Sequence, residues 1–376
     1  MNSHNSKNEE KLFSQLEENI NRVGTLDSGA LKQAQEKLDD LTKPRGSLGR
    51  LEELARQIAG ISGKLVGGFD NKIIFTMAAD HGVTDEKISA YPKEVTPQMV
   101  KNFLNGKAAI NVLANHIGAR VMVVDMGVNY DFEEHPFLIN KKIGYGTRNM
   151  AKGSAMTREE AILSILHGME TYNFASRKKS NRITGTNHIT GTDIIGTGDM
   201  GIGNTTASSA IAAVLCNADV AEVTGSGTGL DEKGLQNKVN VIKKAIEINK
   251  PDPDDALDVL SKVGGFEIGG IAGLIIGASL NRVPVVIDGF ISSAGALIAL
   301  KLCPNSRHFM IASHQSVEKG HTVILSELGI KPLFNLDMRL GEGTGAALGM
   351  GFAEASVRIM NEMATFSEAR VSGKSE

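Results

Sequence analysis

The chain has no tryptophan, two cysteines and four tyrosines in 376 residues. With aromatics at 5%, it lacks the stacking platforms on which single-strand nucleic-acid binders seat their bases. A strong charge of one sign is also missing: the formal net charge is −3, which gives no electrostatic case for nucleic acid or membrane as a partner. Cys216 and Cys303 lie far apart and make no metal or redox spacing, so both are expected as buried free thiols. No apolar run is long enough to span a bilayer, because the stretch 268–302 is broken by Asn281, Arg282 and Asp288. The first twenty residues carry no apolar core of a signal peptide, and a cytoplasmic protein is expected. Neither a G-x-x-x-x-G-K-[ST] phosphate loop nor a fixed-period repeat occurs.

Glycine, at 42 residues, is abundant and clusters where apolar runs end, as in tight strand-to-helix turns. Five short apolar runs read as parallel strands buried on both faces: 72–80, 120–128, 192–196, 283–289 and 308–313. Helical patterns lie between them, notably at 96–118 and 157–174. This alternation predicts an α/β fold with a doubly wound, mostly parallel, Rossmann-like sheet. Charged helical stretches at 8–62 and a long helix at 346–366 suggest a small helical domain built from both chain ends. The expected division is therefore 1–62 with 346–376 against a large domain of 63–345. The polar, basic segment 176–191 reads as an inserted loop, and DPDDALD (252–258) as a turn with an acidic first helical turn.

The stretch GTGDMGIGNTT contains G-x-G-x-x-G at Gly196, Gly198 and Gly201. Asp219 and Glu222 follow at the spacing of a ribose-binding acid, so one test of a dinucleotide site is met. However, Asp199 sits inside the motif, where its carboxylate would repel a pyrophosphate. A second glycine-bracketed acid, Glu342 in RLGEGTGA, has no place in hydride transfer. Two acids among glycines suit general-base chemistry, since the glycines let the backbone approach a ligand and leave the carboxylate as the reactive feature.

Eight segments, in order, resemble the nicotinate-nucleotide–dimethylbenzimidazole phosphoribosyltransferase family: KPRGSLGRLEELA, AADHGV, SAYPKEVTPQMV, GDMGIGNTT, GSGTGLDEKGLQNK, DGFISSAGAL, SHQSVEKGH and RLGEGTGAAL. The resemblance implies transfer of phosphoribose from nicotinate mononucleotide to 5,6-dimethylbenzimidazole, giving α-ribazole 5′-phosphate for cobalamin. It also implies a homodimer and a reaction needing neither cofactor nor metal. Glu342 matches the family's catalytic base. Asp199 matches a second active-site acid that is usually Glu, and the shorter side chain withdraws the carboxylate by about 1.5 Å. Lys238 matches the lysine of the nucleotide site. Gly201, Asn204, Thr205 and Ser316 are expected round the nucleotide, with Ser316 at a helix start. Tyr91 and Gln98, with Met200, are expected to wall the pocket of the flat acceptor base.

His81 and His314 form no metal spacing and read as structural, while Asp80 and Asp288, at strand ends, read as loop organisers. Three other readings remain open from the sequence: a purine or phenol acceptor, an NAD-dependent oxidoreductase, and a nucleotide-binding regulator without turnover.

Overall fold

The computed structural model describes residues 2–177 and 193–372. Apart from residues 176 and 177, which close a helix, the expected insertion at 176–191 lies outside the described residues. Three helices come first: α1 (Asn2–Asn21), α2 (Ser28–Asp40) and α3 (Arg50–Ser62). Next are β1 (Lys72–Ala79), α4 (Val95–Leu104), α5 (Ala109–His116), β2 (Arg120–Gly127), β3 (Leu138–Asn140) and α6 (Arg158–Arg177). After the undescribed segment follow β4 (Ile194–Met200), α7 (Asn204–Leu215), α8 (Val220–Val223), α9 (Glu232–Asn249), α10 (Ala256–Val263) and α11 (Phe266–Leu280). The chain continues with β5 (Val285–Ile287), α12 (Phe290–Leu302), β6 (Met310–Ala312), α13 (Lys319–Leu328), α14 (Thr344–Glu362) and α15 (Phe366–Ala369).

The six strands form one sheet in the order β3-β2-β1-β4-β5-β6, and every pairing is parallel. All five expected strands are present, and the short edge strand β3 was not expected. The run at 192–196 continues as far as Met200, so Gly196 and Gly198 lie inside β4 rather than in the turn after it.

Alternation along β1 shows why the sheet needs a cover on both faces. Ile73, Phe75 and Met77 join one core cluster, and Ile74 and Ala78 the other. The first face is covered by α11, a helix buried all round, with α6 laid closely along it and α12 beside it. The second is covered by α14 and α5. Thr76 is the polar residue in this otherwise apolar centre, and its partner lies at the site described below.

The terminal helices are organised in two ways. Helices α2 and α3 pack on each other and on α14, around Leu38, Leu41, Ala55, Ala59 and Met360. Helix α1 instead lies along α6. Because α14 begins at Thr344 and also packs on β4 and β5, the expected boundary at 345/346 falls within its first turn. The acidic turn at 252–258 is as expected: Asp255 caps α10 by accepting from the backbone N–H groups of Leu257 and Asp258.

Candidate active site

From β1 the chain builds β2 and β3 to one side and later β4, β5 and β6 to the other. In open α/β sheets the crevice beyond the carboxyl ends of the strands at this reversal is where ligands bind. The ends of β1 and β4 carry Asp80 and Asp199 to that place.

Glu342 stands in the segment that leads into α14. Gly341, Glu342 and Gly343 have φ of +80°, +64° and +102°. For Glu342 that left-handed conformation costs on the order of 1–2 kcal/mol. Neighbouring elements hold it. Thr76 Oγ1 donates to the Glu342 carbonyl at 2.9 Å. Asp288, just past β5, accepts from the N–H groups of Gly343 (3.0 Å), Gly345 (2.7 Å) and Ala346 (3.1 Å). Beneath them, a Cβ at Gly198 would collide with the Glu342 carbonyl. The middle glycine of the motif thus admits the Glu342 loop to the strand, not a pyrophosphate.

The carboxyl group of Glu342 is buried, and Oε2 accepts from Ile110 N–H at 3.3 Å. Burial pushes its pKa up, and the single N–H bond only partly opposes this. Asp288 is also pushed up, to about 7, by burial, against the pull of its three backbone N–H bonds. Burial, reinforced by Asp288 and Glu267, drives Asp199 well above the usual carboxylate range. Asp199 Oδ2 accepts from Asn204 Nδ2 at 3.0 Å, while Oδ1 is buried without a hydrogen-bond partner. A carboxyl held neutral in this way can donate a hydrogen bond, and one poised by partial burial can accept a proton.

His81 follows Asp80 and meets Glu267 of α11 at 2.7 Å, both side chains being buried. Burial alone would lower the His81 pKa, but Glu267 and Asp80 raise it overall. His81 is therefore tied into the core by an acid. His314 stacks on Phe334, with ring centroids 5.8 Å apart, and burial lowers its pKa to about 4.

The residues expected round the nucleotide gather on neighbouring elements. Lys238 is buried on α9, and its Nζ donates to Thr205 Oγ1 at 2.8 Å and to the Gly225 carbonyl at 3.4 Å. Burial lowers its pKa to about 8, with Glu318 pulling the other way. Gly201 lies in the turn after β4, and Asn204 begins α7. Ser316 requires a correction: α13 starts at Lys319, so Ser316 is not at its first turn. Its N–H is already given to His321 Nδ1 at 2.9 Å, which leaves the proton of that neutral ring on Nε2, facing Ser293 Oγ at 2.9 Å. An imidazole held in this tautomer cannot take a proton from Ser293, so the pair is no nucleophilic dyad.

Tyr91 and Gln98 are exposed, and Met200 is half-buried. The loop of Tyr91 is tied to the 225–230 loop by Thr228 Oγ1, which accepts from Ala90 N–H at 3.2 Å. Gln98 lies on α4, whose Thr96 Oγ1 accepts from Ile202 N–H at 3.1 Å. Three contributors escaped the sequence reading. Glu267 is a lone acid in an apolar helical run, and Thr76 a lone hydroxyl in an apolar strand. Glu318 lies within SHQSVEKGH, where nothing local marks it. Cys216 is half-buried with its thiol pushed up to about 11 by burial, and Cys303 is buried; both are free.

Among the described residues, no group of three His, Cys, Asp or Glu is placed to hold a metal, and no helix is long and apolar enough to cross a membrane.

A family model described as "Phosphoribosyltransferase" matches residues 23–371. A nicotinate-nucleotide–dimethylbenzimidazole phosphoribosyltransferase of Geobacter metallireducens is 54% identical over 356 residues, covering 95% of this chain and 98% of that protein. One of the same name from Roseiflexus sp. is 54% identical over 364 residues, covering 97% and 100%. The crystal structure of such an enzyme from Thermus thermophilus superposes with a TM-score of 0.85 at 41% identity, covering 93% of this chain and 100% of that one.

Proposed function

The chain belongs to this phosphoribosyltransferase family, and from that premise we propose that Glu342 is the general base of its reaction. The enzyme moves the phosphoribosyl group of nicotinate mononucleotide to 5,6-dimethylbenzimidazole, a step in making the lower-ligand nucleotide of cobalamin. One ring nitrogen of the acceptor attacks C1′ of the ribose. The bond from C1′ to the pyridinium nitrogen breaks, its electron pair neutralises that nitrogen, and nicotinate leaves. The proton on the acceptor's other nitrogen passes to the Glu342 carboxylate. Attack opposite the leaving group inverts C1′ and gives the α-nucleotide.

The observation that carries this reading is the buried Glu342 carboxyl, held over the sheet's reversal point in a strained backbone that three separate elements secure. Lys238, with Thr205, offers donors to the phosphate. Gly201, Asn204 and Ser316 line the nucleotide, while Asp199, protonated, donates a hydrogen bond near the reacting atoms. Tyr91, Gln98 and Met200 form one wall for the acceptor. Binding both substrates in line supplies much of the remaining acceleration.

The same reading places the enzyme in the cytoplasm as a homodimer, with residues 1–62 and 346–376 as a small helical domain. Exposed Val317, Leu336 and Leu340, on the segments that carry Ser316 and Glu342, supply apolar surface for a second copy. The direct test is E342Q, followed by nicotinate release with dimethylbenzimidazole present. Turnover is expected to fall about 100- to 10,000-fold, and undiminished turnover would refute the role.

A further inference from the structure

Glu318 has no part in the reaction as written, yet its position is unusual. The residue is 7% exposed and occupies the cap position of α13 without capping it, since its side chain accepts no N–H of that helix. Oε2 is buried without a hydrogen-bond partner. A Cβ at Gly225 would strike that oxygen, so the carboxylate rests directly on the Gly225 backbone. On the carbonyl side of the same residue lies the Lys238 ammonium, whose two partners, Thr205 Oγ1 and the Gly225 carbonyl, are both uncharged. A buried cation and a buried anion thus flank one glycine without touching.

We propose that Glu318 is a positioning residue for Lys238: its carboxylate, seated against Gly225, keeps the ammonium charged for the phosphate of nicotinate mononucleotide. The inference rests on the reading of Lys238 as the phosphate-binding lysine. Other charges on the surrounding elements do not compete. Glu232 and Lys233 on α9, Glu222 on α8 and Lys319 on α13 are exposed, and Asp258 and Lys262 on α10 pair with each other at 2.8 Å. Helix α7 has no charged residue. An isolated buried ammonium sheds its proton readily, and an anion behind one backbone residue is the means to retain it. Burial has already lowered Lys238 to about 8, so loss of Glu318 brings its deprotonation toward neutrality.

The test is calorimetric titration of the full chain with nicotinate mononucleotide from pH 6.5 to 9.5. The parent protein is expected to lose affinity on the alkaline side with a midpoint near 8, and K238A to lack that limb. E318Q is expected to move the limb down by about one unit. Its binding would then be about five- to tenfold weaker between pH 8 and 9, closing to within about twofold at pH 6.5. E318D, which keeps the charge, should leave the limb in place, and it carries the test should E318Q not fold. If the E318Q limb coincides with the parent's, or E318D shifts it as far as E318Q is expected to, Glu318 does not act through its charge. Should K238A keep the parent's affinity and limb, the phosphate-binding reading of Lys238 fails, and this inference with it.

Discussion

The two edges of the sheet handle buried polarity in opposite ways. At the amino-terminal edge a cavity of about 980 Å³ opens between Lys64, Phe69, Asp70, Arg282 and Arg358. Its half-buried charges, Asp193, Arg282 and Glu354, have ordinary partners. Glu354 pairs with Lys72 and with Arg358, and Asp193 Oδ2 accepts from the N–H groups of Asp70 and Asn71 at 2.9 and 2.8 Å. At the carboxyl-terminal edge, by contrast, Asp80, Asp199, Glu267 and Glu318 each bury a side-chain oxygen without a hydrogen-bond partner. Volume records where the chain leaves room. Unpaired buried acceptors record where the fold bears an energetic cost, and that is the better mark of chemistry.

Mutations at the two edges test this contrast. Of the three substitutions that test it, the largest effect is expected at Gly198, where a methyl group would meet the Glu342–Gly343 backbone. G198A should lower turnover about a hundredfold and stability by about 1–3 kcal/mol, read from nicotinate release and the denaturation midpoint. A normal G198A enzyme would mean that the loop does not depend on its seat.

D288N comes next, because an amide cannot accept from all three N–H groups at the start of α14. Turnover should drop about tenfold as Glu342 loses its fixed position. A pH signature accompanies it. The folded pKa of Asp288, about 7, lies above the ordinary 3.8, so between pH 4 and 7 the native state binds a proton that the unfolded chain does not. This group therefore costs stability as pH rises through that window. The denaturation midpoint of D288N should vary less from pH 4 to 7 than the parent's, and equal slopes would contradict the assignment.

The smallest effect is expected at the other edge. R358A, which removes a half-exposed partner of Glu354, should change stability by less than about 1 kcal/mol and leave turnover unaltered.

Much of this was legible in the sequence because of apolar runs and glycine spacing. The strands at 72–80 and 120–128 needed only their continuous hydrophobicity, and the acids at 199 and 342 stood out by their glycine brackets. What escaped depended on long-range packing. Gly196 and Gly198 resemble turn residues locally. They belong to a strand because α14 and the Glu342 loop, some 150 residues later, lie against them. The cap role of Ser316 failed for a similar reason, since His321 captures its N–H and α13 starts later. Thr76, Glu267 and Glu318 are single polar residues in apolar or motif surroundings, and no local pattern names their partners. The short strand β3 has three residues, too few for a periodic signal.

The most direct measurement is a crystal structure of the enzyme soaked with nicotinate mononucleotide and dimethylbenzimidazole. The acceptor ring is expected beyond the ends of β1 and β4, with one ring nitrogen about 2.6–3.2 Å from the Glu342 carboxylate. A ring bound in the amino-terminal cavity, or a Glu342 side chain still given only to Ile110 while product forms, would contradict this.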